Sequence, residues 1–291
     1  MPLLRDIWQF IAALIERMDK IHMTLIAAGV AFYAMFAVFP GLAAIIALWS
    51  LWLDPIVILE YMQVAEEFIP TQAAEILHSQ LSALMSTAGG GGLGWASALS
   101  ILIATVSARA GVMGLINGLN AAYGVRSHST IFGFLLAYML TLAILGVVLM
   151  GLVVIVVVPV VLNLVPFSPL RVALISYLPW AGMFLIVLIG IGILYRYGPN
   201  VKTPRTPLFT GGALFAALAW ALASLALSQY LASFSNYNRI YGSIGAVIAL
   251  LMWFYLAGFS VLLGAVINVE LDRRKRIAAA RAARREPQKT A

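Results

Sequence analysis

The chain contains no cysteine, and between Glu75 and Glu270 it contains no aspartate or glutamate. The first absence excludes disulfides, thiolate metal sites and cysteine nucleophiles. The second excludes a carboxylate relay through the middle of the chain, which weighs against proton or sodium coupling through acidic side chains. A cation could still meet backbone carbonyls at a broken helix. Histidine is scarce too: His22, His78 and His128 are far apart, and no two stand at metal-ligand spacing. There is no nucleotide-binding P-loop, no H-E-x-x-H and no Gly-x-Ser-x-Gly. Gly89–Gly92 lacks the lysine and helix start of a phosphate loop and reads as a joint. The expectation is a protein that is not an enzyme and carries no cofactor or metal.

Charge is also sparse, at 10% of residues against about 25% in soluble domains. Hydrophobic residues make up 63% of the 291, and mean hydropathy is +1.00. These values exclude a soluble domain and predict an all-α polytopic membrane protein. Six uncharged or nearly uncharged runs are long enough to cross a ~30 Å hydrocarbon core at ~1.5 Å per residue. They are Leu25–Leu53, Trp95–Leu119, Ile131–Val161, Val172–Leu194, Leu208–Phe234 and a last one that follows Tyr237-Asn238-Arg239 and runs from Ile244 to Val269. Residues 1–272 are therefore read as one six-helix membrane domain.

The flanks have their own characters. Before the first span, Leu4, Ile7, Trp8, Ile11, Leu14, Ile15 and Met18 recur at helical spacing among charges, which predicts an interfacial amphipathic helix over 1–20. Residues 54–94 carry five acids and no Lys or Arg and are expected to form an extracytoplasmic amphipathic loop. Residues 273–291 form a basic tail. Fifteen of the 18 Lys and Arg fall on the side of the two termini and two on the other, which predicts a multi-pass protein with both ends in the cytoplasm. The net charge of +7 is concentrated beside a membrane helix, so anionic lipid headgroups are the expected partner rather than nucleic acid.

Polar residues inside the spans are few. Pro40-Gly41 interrupts the first span, and a proline there leaves the Phe36 carbonyl without its donor; the break either kinks the helix for packing or lines a cavity. Arg109 is the one charge deep in an apolar run. Thr105, Arg109, Asn117 and Asn120 fall within about 120° on one face, either bonding exposed carbonyls or lining a pathway. Asn200, Asn238, Arg239 and Asn268 complete a cationic and amidic set suited to an anionic or zwitterionic solute or a lipid headgroup. Small residues also recur at helical spacing, as Gly212, Ala216, Ser224 and Ser228 in the fifth span and Gly242, Ala246, Ala249, Ala257, Ser260 and Gly264 in the sixth. Such stripes let helices approach closely in lipid. They can be used up within one bundle or between two, so a homo-oligomer stays open.

Five segments in order, AAGVAFYAMFAVFPG at 27–41, GLINGLNAAYGV at 114–125, LYRYGPN at 194–200, GGALFAALAWALASLALSQY at 211–230 and YNRIYGSIGAVIALLMW at 237–253, resemble the YihY/BrkB family of bacterial inner-membrane proteins. The resemblance implies a six-helix fold in the bacterial cytoplasmic membrane. Members are described as virulence factors or transporters, and some carry a ribonuclease BN label, which the missing His and Asp clusters oppose. It singles out Tyr33, Pro40, Asn120, Tyr197, Pro199, Asn200, Tyr237, Asn238, Tyr241, Gly242 and Gly264, without assigning them chemistry. Val266 stands where the family motif often has Glu, and Glu270 lies one turn further on. Two functions compete: a secondary carrier or exporter of a small anionic, zwitterionic or amphipathic solute, and a non-transporting envelope protein that holds lipid.

Overall fold

The computed structural model describes residues 2–49, 95–127, 130–163, 168–201, 207–233 and 237–285. Among these residues there are seven helices and no strand: α1 (Pro2–Lys20), α2 (Met23–Trp49), α3 (Trp95–Tyr123), α4 (Thr130–Asn163), α5 (Ser168–Tyr197), α6 (Gly211–Ser233) and α7 (Tyr237–Arg285). The expected loop over 54–94 lies outside the described residues, as does the tail beyond 285.

Among the described residues, three helices hold stretches long and apolar enough to cross a membrane: Trp180–Tyr197 in α5, Gly211–Leu231 in α6 and Val247–Ala280 in α7. A fourth arises if α1 and α2, which meet at 57°, are counted as one bent span. The bend has a local cause. His22 adopts a positive φ of 51°, a conformation that costs most residues free energy and that His tolerates better than most. Its N–H donates to the Asp19 carbonyl, and its own carbonyl accepts from Leu25 and Ile26, so one helix closes and the next opens at the same residue.

Other helix ends also follow from sequence. Gly124, at φ 65°, ends α3: Val125 N–H donates to the Asn120 carbonyl and Gly124 N–H to the Ala121 carbonyl, a left-handed glycine cap. Thr210 begins α6, its hydroxyl accepting from Ala213 N–H at 3.1 Å, the usual work of an N-cap threonine. α2 carries Pro40 and Gly41 within its described length, Met23–Trp49; the surroundings of both residues lie outside the described set. α7 continues unbroken past Val269 through the basic segment to Arg285, where Ala and Arg are strong helix formers.

The six longer helices close a ring in chain order. α2 packs on α3, α3 on α4, α4 on α5, α5 on α6, α6 on α7, and α7 returns to α2. α7 also crosses to α3 and carries α1. The core lies where α7 meets its neighbours, around Met23, Ile116, Leu119, Tyr195, Leu262 and Val266, all fully buried. Elsewhere large apolar side chains such as Leu25, Ile131 and Leu222 are exposed, as expected of surfaces that face lipid. Lipid removes the hydrophobic drive between helices, so close packing of small residues holds the contacts. Gly118 of α3 admits Leu262 of α7; a Cβ there would stand 2.6 Å from Leu262 Cδ2. Gly258 of α7 likewise seats Val30 of α2 at ordinary contact distance.

Candidate functional site: a polar junction at one end of the bundle

The C-terminal ends of α3 and α5, the start of α6 and the Val261–Asp272 part of α7 meet at one end of the ring. Backbone proximity makes the junction. Gly212 and Gly264 set α6 against α7 so tightly that a Cβ on either residue would run into the other's carbonyl oxygen. The same approach brings Asn268 over the first turn of α6. Its Oδ1 accepts from Gly212 N–H at 2.7 Å, and its Nδ2 donates to Thr210 Oγ1 at 2.7 Å. Asn268 thus satisfies a helix-start donor that would otherwise be orphaned.

Tyr195 of α5 reaches into the same place. Its ring is buried and its hydroxyl donates to the Val261 carbonyl of α7, beside Gly264. Tyr123, the last residue of α3, lies beside Asn268 and within electrostatic range of Tyr195 and Asp272. The tip of α5 then turns under α3. Asn200 N–H donates to Asn120 Oδ1 at 2.8 Å, and Asn200 Nδ2 donates to the Arg126 carbonyl at 3.1 Å. Pro199 is buried in this tip, and Tyr197 is exposed beneath the Arg196 guanidinium.

Three buried polar atoms here have no hydrogen-bond partner: Asn120 Nδ2, the Tyr123 hydroxyl and Arg196 Nε. The Asn120 assignment is fixed by chemistry. A backbone N–H can only donate, so the atom facing Asn200 N–H must be the amide oxygen, and the unpartnered atom is the NH2. Asn120 is only 2% exposed, and an unmet buried donor costs about 1–3 kcal/mol.

The charged rim lies just beyond. Glu270 is buried and pairs with Arg274 at 3.1 Å and Arg273 at 3.3 Å, so this carboxylate is neutralised on its own helix. Arg274 also lies over the Phe10 ring of α1, 4.8 Å from its centre. Arg17 Nε donates to the Ala122 carbonyl at the end of α3, and the Lys20 ammonium holds the Glu16 carboxyl below its ordinary range. α1 therefore packs on α7 through the Phe10–Arg274 contact. Ile7, Trp8, Ile11 and Ile15 then make an exposed apolar stripe on α1, Trp8 at 71%.

The junction collects Asn120, Tyr197, Pro199, Asn200, Gly264 and Asn268 from the expected set. Arg109 is elsewhere: its guanidinium stacks over Phe134 and Tyr138 of α4, 4.6 and 5.4 Å from the ring centres. Asn117 is exposed and accepts from Ser127 Oγ at 2.9 Å. Tyr33 is exposed against Phe32. Arg109, Asn117 and Asn120 therefore share a face in sequence but have different partners. Tyr237, Asn238, Arg239, Tyr241 and Gly242 form the first turns of α7, and their surroundings lie outside the described residues. Sequence reasoning missed Tyr123, Tyr195 and Thr210. Thr210, ahead of Gly-Gly and an apolar run, carried a readable helix-start signal; the tyrosines carried none. Among the described residues, no group of three or more His, Asp or Glu could hold a metal.

Comparison with known proteins bears on this arrangement. The family profile described as virulence factor BrkB matches residues 14–290. A Bacillus subtilis protein named ribonuclease-like protein YfkH is 30% identical over 259 residues, which cover 86% of this chain and 90% of that protein. UPF0761 membrane proteins of Verminephrobacter eiseniae and Delftia acidovorans are 39% and 41% identical over 88 residues. Those matches span 30% of this chain and 21% of each relative. No solved structure matches.

Proposed function

The chain belongs to the BrkB virulence factor family, and from that premise we propose that it is a secondary carrier or exporter of a small anionic, zwitterionic or amphipathic solute. It works in the bacterial cytoplasmic membrane with six spans and both termini inside, and the polar junction is its cytoplasmic mouth. The observation that carries this reading is the buried, uncommitted NH2 of Asn120 at the end of an otherwise apolar ring. In lipid, unmet polar groups are costly and rare, and they mark places where a ligand or water supplies the partner. The acid-free stretch from Ile76 to Val269 supports a solute held by donors rather than a bound metal cation. No enzymatic step is part of this reading; the ribonuclease wording belongs to the Bacillus relative.

Purified protein in liposomes loaded with labelled carboxylates, amino acids and phosphate monoesters is the test. Faster efflux of one class than from protein-free liposomes supports the carrier; uniform leakage across all classes refutes it. A second reading, an envelope protein that holds lipid without transport, is supported by the exposed apolar stripe of α1 and the basic continuation of α7. It predicts no flux, and loss of anionic-lipid binding when residues 273–291 are removed.

A further inference from the structure

We propose that the seam between α3 and α4 at Arg109 is a binding site for the phosphate of an anionic phospholipid. The site lies apart from the polar junction and from the basic segment of α7. It rests on the placement of α3 and α4 in the membrane, not on carriage of a solute. The Arg109 guanidinium lies over Phe134 and Tyr138, 4.6 and 5.4 Å from their ring centres, and the two rings meet edge to face at 4.9 Å. A ring face attracts the charge but gives the N–H groups no oxygen acceptor. Among the described residues the Arg109 side chain makes no hydrogen bond and no ion pair. An arginine in a membrane helix is costly, and it draws water or headgroups to itself where the protein offers no partner.

The neighbours decide which acceptor comes. Leu102 and Val106 precede Arg109 by seven and three residues on one face of α3, and they are 60% and 47% exposed. On α4, Phe134, Leu135 and Met139 are exposed as well. The guanidinium therefore sits at the outer edge of the bundle, among apolar side chains suited to face lipid. Among the described residues, α3 and α4 are also the least closely packed neighbours in the ring, so a headgroup meets least resistance at their seam. A soluble anion there would rest against apolar side chains. A phospholipid puts its phosphate on the guanidinium and its acyl chains along Leu102, Val106 and Leu135. Phosphate oxygens match the fork of guanidinium donors, and basic seams between membrane helices recruit anionic headgroups. No acidic residue lies between Glu75 and Glu270, so neither helix offers a carboxylate to the ammonium of a zwitterionic headgroup. Phe134 and Tyr138 lie in the first three turns of α4, which places the headgroup in the leaflet on the junction's side.

The test is native mass spectrometry of the full-length protein in neutral detergent. Phosphatidylglycerol, phosphatidylethanolamine and the water-soluble headgroup glycerophosphoglycerol are the separate probes. The first phosphatidylglycerol should bind more tightly than either of the others. Arg109→Met should weaken it roughly tenfold, the loss expected for hydrogen bonds to a charged group. Arg109→Lys keeps a cation over the rings, and with it the fold, but loses the forked donors, so its affinity should fall between the two. Lys275→Gln/Arg276→Gln removes two exposed charges of the basic segment and should leave this first lipid in place. The site is overturned if Arg109→Met or Arg109→Lys holds phosphatidylglycerol as wild type does, or if phosphatidylethanolamine binds equally well. It is overturned too if glycerophosphoglycerol binds as tightly, since a free anion would then be the ligand. Loss of the first lipid in Lys275→Gln/Arg276→Gln as complete as in Arg109→Met would move it to the basic segment and overturn the site as well. Lipid binding is read without flux, so its failure leaves the carrier standing, and binding without flux leaves the site without the carrier.

Discussion

Gly212 of α6 and Gly264 of α7 lie so close that each occupies the space a Cβ on the other would need. The obstruction is backbone, a carbonyl oxygen on both sides, so no side-chain rotation can relieve it. Gly264→Ala should therefore lower stability by at least ~3 kcal/mol, at or above the upper end of ordinary overpacking, and Gly212→Ala should behave alike. Thermal unfolding in detergent checks this; a loss under about 1 kcal/mol would show that α6 and α7 can part without penalty.

Asn268 and Thr210 close the first turn of α6 together. Asn268→Leu keeps the volume but strands the Gly212 N–H, at a cost of about 1–3 kcal/mol. Thr210→Val removes the cap hydroxyl for about 1 kcal/mol. The two residues share a hydrogen bond, so the double variant should cost less than the sum of the singles. Strict additivity in denaturation would refute the shared network.

Arg109 is held by aromatic faces. A partly desolvated cation over rings is stabilised by about 0.5–2 kcal/mol, so Arg109→Met should destabilise by that order and Phe134→Leu should remove much of the same energy. In a double-mutant cycle the coupling should exceed 0.5 kcal/mol. Solute binding at the junction should be unchanged in Arg109→Met, which separates this arginine from the mouth.

Topology has a clean probe because the chain has no native cysteine. In intact cells a membrane-impermeant maleimide should label Ser86→Cys and spare Ser127→Cys and Lys275→Cys until the membrane is opened. Labelling of Lys275→Cys from outside would overturn the inside placement of the C-terminus. A spin label on Trp8→Cys should report the apolar interface, with high oxygen and low aqueous-quencher access; strong aqueous access would instead make α1 a cap over the bundle.

Much of the fold could be read before any contact was known. Long uncharged runs leave a chain few alternatives to helices, so the described helices begin and end within a few residues of the runs, apart from the extension of α7. The small-residue stripes also proved informative: Gly212, Ala216, Ser224, Ser260 and Gly264 are used inside one bundle, with the Trp253 indole donating to Ser224 Oγ at 3.0 Å. The junction was legible only in part. Asn120, Asn200 and Asn268 stood out as amides beside apolar sequence, but their pairing depends on four helix ends meeting in space. Angular position along α3 grouped Arg109 with Asn120. Packing separated them, because α4 aromatics cover one and the tip of α5 covers the other.

α7 is a single helix of 49 residues, about 74 Å long at ~1.5 Å per residue. The contact at Gly264 divides it unevenly, with roughly 31 Å of rod between Gly264 and Arg285. That contact is backbone on backbone, and the Tyr195–Val261 and Asn268–Gly212 hydrogen bonds tie α7 to α5 and α6 on either side of it, so the helices meet there as at a fulcrum. A tilt of about 10° there, small beside ordinary helix tilts, would swing the Arg285 end by about 5 Å and draw Arg274 along Phe10. Small adjustments among packed spans would thus be magnified into a displacement of the charged arm and of the α1 helix packed on it.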